Sequence, residues 1–372
     1  MRTRRIWLTA ATTTTVLCGV LALQGVTGNG PARPEVRTVA LEAGGAGATF
    51  KDEDTSVFSM LAVSWNDPGR VIEGGLQVRT RAEQTGEWSR WTTLGSEGGA
   101  ASDGASRPGL RGASEPLWAG PSDGVEVRVT GKGSALPAGL RLDMVDPGSA
   151  RAVRTGPAAF AVGARASARS AVTVPQIVSR AEWGADESLS PEEPAYGNEV
   201  EAVFVHHTAQ SNAYDCTDSA AIVRGLQTLH VRTNGWKDIG YDFVVDKCGT
   251  VFEGRKGGID RPVTGAHTLG FNTDTTGIAV IGDYTGQDAP DAAEDSVARI
   301  SAWKLARYGH DPAGSVTLTA TIDNGRFTSG QRVAFQRISG HRDAFATECP
   351  GTALYGQLPL IRARAAALAT AP

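Results

Sequence analysis

Ala202-Val203-Phe204-Val205-His206-His207 is the stretch whose reading decides the fold. Four apolar residues in an unbroken row suit a short strand buried in a sheet, not one with a wet face. Ile278-Ala279-Val280-Ile281 repeats the pattern. Around these runs the periodicity becomes helical. From Ser219 to Thr233, Ile222, Val223, Leu226, Leu229 and His230 share one face, with Asp218 placed as N-cap and Asn234-Gly235 as the stop. Tyr241-Asp242-Phe243-Val244-Val245, a turn at Asp246–Gly249 and Thr250-Val251-Phe252-Glu253 read as a hairpin. Asp291 and Glu294 form a capping-box pattern for a helix running to Tyr308 and stopping at Gly309. Val316 to Ile322 alternates, and a last helix covers Ala353 to Leu368. Residues 173–370 therefore read as an α/β domain.

Towards the N-terminus the period changes. Phe58–Trp65, Leu76–Arg81 and Val125–Val129 are short and β-like, the last two alternating apolar with polar. Asn66-Asp67-Pro68-Gly69, Gly74-Gly75 and Pro121-Ser122-Asp123-Gly124 are turn signals between them. Residues 36–147 thus predict an all-β, sandwich-like domain. Trp65, Trp88, Trp91 and Trp118 lie within it; packing is their expected role, with a glycan-binding strip as the alternative. Residues 148–172 turn to Ala, Arg, Gly and Ser without periodicity and read as a linker.

Arg2, Arg4 and Arg5 precede an apolar stretch from Ile6 to about Val26, as in an export signal occupying residues 1–30, with a twin-arginine flavour. The expectation is a secreted chain, with no lasting membrane association once the signal is removed. A net charge of -4 argues against a nucleic-acid partner, which requires a basic face. Of the four cysteines, Cys18 would leave with the signal. Three remain, so in an oxidising compartment two should pair and one needs another task.

All six histidines (206, 207, 230, 267, 310 and 341) fall in the second domain, so metal or acid–base chemistry belongs there. His206 ends a buried strand; adjacent strand residues face opposite ways, so only one of His206 and His207 can enter a common site. His341 opens a loop that reaches Cys349 eight residues later. There is no H-E-x-x-H helix and no paired C-x-x-C. A His/His/Cys set can still hold catalytic zinc, leaving a fourth position for water whose pKa falls towards ~7. On spacing alone, a disulfide between Cys349 and either Cys216 or Cys248, with structural histidines, competes with that reading.

Five fragments in order add a resemblance: Ile177-Val178-Ser179-Arg180-Ala181-Glu182-Trp183-Gly184-Ala185, Val205-His206-His207-Thr208-Ala209, Gly235-Trp236-Lys237-Asp238-Ile239-Gly240-Tyr241, Gly265-Ala266-His267, and Gly340-His341-Arg342-Asp343 with Thr347-Glu348-Cys349-Pro350-Gly351. Together they span most of Pro175 to about Leu358. The domain resembles the peptidoglycan recognition protein and type 2 N-acetylmuramoyl-L-alanine amidase family, here in a bacterial, secreted form with an added β-rich domain. The resemblance implies a mixed central sheet flanked by helices and a zinc-floored groove for peptidoglycan stems. It implies zinc on His206, His341 and Cys349 and catalytic roles for Tyr241 and Thr347, the latter a polar residue in contact with the site. It also implies that His267 lines the substrate groove. With Cys349 on zinc, Cys216 and Cys248 become the disulfide pair, worth ~3 kcal/mol. The implied reaction is hydrolysis of the amide between N-acetylmuramic acid and L-alanine, in wall remodelling or lysis. The alternative is a protein that binds peptidoglycan without cutting it. Glu182, Glu253 and Glu348 are the carboxylates considered as general base. His207, His230 and His310 are expected to be structural or on the surface.

Overall fold

The computed structural model describes residues 33–44, 47–96, 108–132, 136–148 and 172–370. The expected signal and the Ala/Arg/Gly/Ser stretch 149–171 lie outside the described residues. Among the described residues, nine strands of the N-terminal half form one antiparallel sheet. Its pivot is the 15-residue strand Leu117–Gly131. The first residues of that strand pair with Phe58–Trp65, and the later ones lie between Gly47–Asp52 and Gly74–Ala82. In Gly74–Ala82, Leu76, Val78 and Thr80 point inward while Gln77 is exposed, the alternation of a half-wet strand. Both parts of the sheet bury one core that includes Leu61, Val63, Trp65, Leu76, Val78 and Val127. Trp65 and Trp118 are buried; Trp88 and Trp91 are half-buried, with Arg79 stacked on both rings and Arg128 on Trp91.

Phe58–Trp65 departs from alternation because both of its faces are covered: all eight residues are buried. Leu61, Val63 and Trp65 fill the sheet's own core. Met60 and Ala62, on the opposite face, join Ile222, Val223 and Leu226 of the helix Ser219–Thr228. Burying a methionine-sized side chain fully stabilises by roughly 1.5–3 kcal/mol, so this docking face is a substantial one.

The C-terminal half has a five-stranded mixed sheet in the order Val251–Glu253, Phe243–Val245, Thr275–Val280, Ala202–His207, Ile338–Gly340. Only the Val251–Glu253 hairpin partner runs antiparallel. Val203, Val205, Ile278 and Val280 pack against the helices Asp291–Ala306 and Thr352–Thr370. Val244 and Phe252 face the helix Ser219–Thr228, while Ala202 and Phe204 meet Phe335 of the small Ser315–Thr319/Arg332–Gln336 ribbon. Every residue of Ala202–His207 is buried, as its composition requires.

Asp218 holds the expected N-cap position, though without a side-chain cap; its carboxylate accepts from the Asp215 amide as part of the preceding turn. Two local expectations need correction. Asp291 and Glu294 make no capping box, because the helix starts directly after Pro290 and Glu294 turns to Arg364, 3.1 Å away. The expected Ser219–Thr233 helix widens at Leu229 into a π-helical turn, Leu229–Thr233. That turn ends at Gly235, whose positive φ of 77° suits glycine.

Candidate functional site

Register brings the site together. Gly340 lies beside Val205 in the parallel pair, so His341, the next residue, comes up next to His206. Their rings are 4.5 Å apart. Gly340 has no room for a side chain: a Cβ there would meet the Tyr355 ring at 2.8 Å. The chain then makes the short helix His341–Ala344 and returns to place Cys349 over the strand end. The His207 amide donates to Cys349 Sγ at 3.4 Å, and Sγ lies 3.7 Å from His206 Nδ1. The His207 imidazole points elsewhere, where its Nδ1 accepts from the Tyr284 amide.

The ligating atoms of His206, His341 and Cys349 lie within 4.8 Å of one another. Tetrahedral zinc with ordinary Zn–N and Zn–S bonds separates such atoms by about 3.6 Å. The donor set therefore fits that ion in both spacing and softness. Burial holds the imidazoles neutral: it drives His206 well below its usual range and His341 down to about 3, each helped by neighbouring histidines. Neutral imidazole is the form that coordinates. Cys349 is buried and outside any disulfide, whereas Cys216 and Cys248 are bonded to each other across 32 residues.

These side chains floor an open groove on the surface of the domain. Tyr241 lines it with its ring 5.3 Å from His206. The Tyr241 backbone is pinned by Arg255 N–H, which donates to its carbonyl at 2.8 Å. Burial, then Cys349 and Glu115, push its phenol up, so it is a protonated donor. Thr347 also lines the groove, and its Oγ1 accepts from the Cys349 amide at 3.1 Å. His267 sits at the groove floor with its side chain fully buried. Its Nδ1 is 3.3 Å from His206 Nε2 and 3.0 Å from Thr268 Oγ1, and its Nε2 is 3.7 Å from Asp242. His230 is buried in the groove wall, where Nδ1 accepts from the Gly240 amide at 3.0 Å. His310 pairs with Glu199, and neither residue lines the groove.

None of the three carboxylates considered as general base lines the groove. Glu182 is engaged in the capping box with Ser179. Glu253 accepts from the Arg180 amide, and Glu348 pairs with Arg342. The carboxylate that does line it is Glu115, from the N-terminal sheet, together with Ala62, Ser114 and Pro116. Sequence reading missed these residues because no local period marks where one sheet docks on another domain. The one available signal was the unbroken apolar run Phe58–Trp65.

Comparison with known proteins finds relatives for both halves of the chain. Residues 196–352 match the N-acetylmuramoyl-L-alanine amidase family, and residues 24–168 match the Rv3811 N-terminal galactose-binding domain-like family. Peptidoglycan-recognition protein SC1a/b of Drosophila simulans is 30% identical over 182 residues, covering 49% of this chain and 83% of that protein. The human N-acetylmuramoyl-L-alanine amidase is 35% identical over 159 residues, covering 42% of this chain and 23% of that protein. Among solved structures, Drosophila PGRP-LB aligns at 26% identity with a TM-score of 0.39, over 49% of this chain and 92% of that one. With its ordered motifs, its His/His/Cys cluster and these relatives, the chain belongs to the peptidoglycan recognition protein and N-acetylmuramoyl-L-alanine amidase family.

Proposed function

We propose that the protein is a zinc-dependent hydrolase of the amide joining N-acetylmuramic acid to L-alanine in peptidoglycan. The observation that carries this reading is the convergence of His206 Nδ1, Cys349 Sγ and the His341 imidazole on one point beneath the groove. Many members of the family recognise peptidoglycan without cutting it. A buried thiol within 3.7 Å of an imidazole, and not used in a disulfide, favours the catalytic branch.

Zinc held by His206, His341 and Cys349 would supply Lewis acidity at an open fourth position. The chain's own groups do the rest. The Tyr241 hydroxyl, kept protonated by its surroundings, donates to the carbonyl oxygen as negative charge develops there. Thr347 fixes the Cys349 backbone and offers its hydroxyl to the groove. His267 faces the groove floor and, through His206 Nε2, orients that ring. The Cys216–Cys248 bridge ties the start of the helix Ser219–Thr228 to the hairpin turn. Export to a wall-facing compartment agrees with that disulfide, and no helix among the described residues is long and apolar enough to cross a membrane.

Digestion of purified peptidoglycan by the zinc-loaded protein, followed by mass analysis, tests the assignment. Stem peptides with a free L-alanine amine and glycan with free lactyl carboxylates are expected. Cleavage between stem residues would make it a peptidase. Tight binding with no release would leave recognition alone.

A further inference from the structure

His341 and Cys349 reach the metal-binding cluster from the two arms of one loop, whose regular structure is limited to the single turn His341–Ala344. Within the loop the arms are joined at Arg342. Its N–H donates to the Cys349 carbonyl at 2.9 Å, and its guanidinium donates to the Glu348 carbonyl. These bonds close the loop on itself but do not tie it to the rest of the domain.

That tie is Tyr355, in the first turn of the helix Thr352–Thr370. Its hydroxyl donates to Asp343 Oδ1 at 2.6 Å, while Asp343 Oδ2 accepts from Gly340 N–H at 2.9 Å. One carboxylate thus bonds the helix to the residue that precedes His341. The edge of the Tyr355 ring also packs on Gly340: a Cβ there would fall 2.8 Å from Tyr355 Cδ2 and 3.0 Å from Pro350 Cδ. Gly340 is therefore gripped between Tyr355 and the residue that follows Cys349. The Arg342 guanidinium lies over the Tyr355 ring, 5.0 Å from its centroid, and Tyr355 N–H donates to the Gly351 carbonyl at 3.0 Å. The helix is in turn anchored to the strand of the third ligand. Leu354 and Leu358 share one core with Val203 and Val205, which lead into His206.

We propose that Tyr355 is a positioning residue of the metal centre, holding the His341 and Cys349 arms at the spacing from His206 that the ion requires. Tyr355 does not line the groove, so it acts through the ligands and not on a substrate. The inference rests on the zinc reading and adds to it a residue outside the ligand set. Ligands on a loop bind a metal tightly only when groups behind them fix their geometry beforehand. Without the tie, the arms would have to be ordered at each binding event, and the ion would be held more weakly by the same three side chains.

The experiment is a zinc titration of the full chain against a chromophoric chelator, with cobalt(II) substitution as a spectroscopic readout of the thiolate-ligated site. Tyr355→Phe keeps the ring and removes the bond to Asp343. Zinc affinity should fall about tenfold, the cobalt d–d bands should shift, and the metal stoichiometry should be unchanged. Asp343→Asn, which replaces one acceptor oxygen by a donor, should cost about as much, and the double variant little more than either single one. Tyr355→Leu, which also removes the ring, should weaken zinc about a hundredfold. Gln357→Ala is the control on the same helix: Gln357 accepts from Ala289 N–H at 2.9 Å and donates to the Ala289 carbonyl at 3.0 Å. It should lower thermal stability and leave zinc affinity where it was. Wild-type affinity and an unshifted cobalt spectrum in Tyr355→Phe would overturn the assignment while leaving the zinc reading intact. So would a Gln357→Ala variant that weakens zinc as much as Tyr355→Phe, because helix stability alone would then account for both. A wild-type chain that takes up no zinc would remove the zinc reading and this inference with it.

Discussion

His206 Nε2 and His267 Nδ1 stand 3.3 Å apart, so the ring that presents Nδ1 to Cys349 is held from behind by a second buried imidazole. His267 itself reaches towards Asp242. Partners of this kind fix the orientation of a ligating ring, and removing them typically costs 10–100-fold in metal affinity or activity. His267→Phe, which fills the space without a nitrogen, should weaken zinc binding by about that factor. Competition with a chromophoric chelator measures it; unchanged affinity would show that packing alone orients His206.

Cys349→Ala should abolish stoichiometric zinc and reduce hydrolysis to background. The Cys216–Cys248 bridge should persist, because it does not depend on that thiol. A metal-to-protein ratio and a thiol titration under denaturing conditions read both outcomes. A third cysteine found oxidised in the native protein would contradict the ligand assignment.

Tyr241→Phe removes one hydroxyl from a phenol held protonated by burial. Loss of a single donor to a developing oxyanion costs about 10²–10³ in kcat. Zinc content and KM should change little, and steady-state kinetics with metal analysis separate these effects.

His230 gives a pH prediction. Burial lowers its pKa from 6.5 to about 3. The unfolded chain therefore takes up a proton near pH 6.5 that the folded chain refuses until about pH 3. Stability from this residue is whole above pH 6.5 and is lost as pH falls through that window. Linkage gives a loss of about 2 kcal/mol from this residue by pH 5. Urea melts at pH 7 and pH 5 on wild type and His230→Gln should show a smaller acid loss in the variant; equal losses would remove His230 as a contributor.

Gly235→Ala should destabilise the docked arrangement. The residue has a φ of 77°, and its Cβ would press on the Gly109 carbonyl. The cost of such a conformation is roughly 1–3 kcal/mol. Thermal melting tests it, and a variant as stable as wild type would mean the interface gives way cheaply.

Much of the second domain was legible because its signals are local. Ala202–Val205 announced a buried strand, and strand alternation allowed only one of His206 and His207 into the site; the resemblance then chose His206. Tyr241, His341 and Cys349 were legible only as ordered motifs, since nothing in their spacing says that Gly340 sits beside Val205. The capping box at Asp291 and Glu294 was misread for a physical reason: Glu294 had a competing partner, Arg364, that no one-dimensional pattern reveals. Glu115 was invisible for the same reason on a larger scale. The second-domain residues that share the groove with it lie more than ninety positions away in sequence, and they meet it because Met60 and Ala62 dock on a helix of that domain.

The Arg224 guanidinium is held by the carbonyls of Pro147 and Gly148, the last described residues before the stretch 149–171. The chain is thus fastened to the C-terminal domain before that stretch begins, and the covalent connection is not what keeps the two halves together. A protease that cuts within 149–171 would produce two fragments that still migrate as one particle, with the composite groove intact.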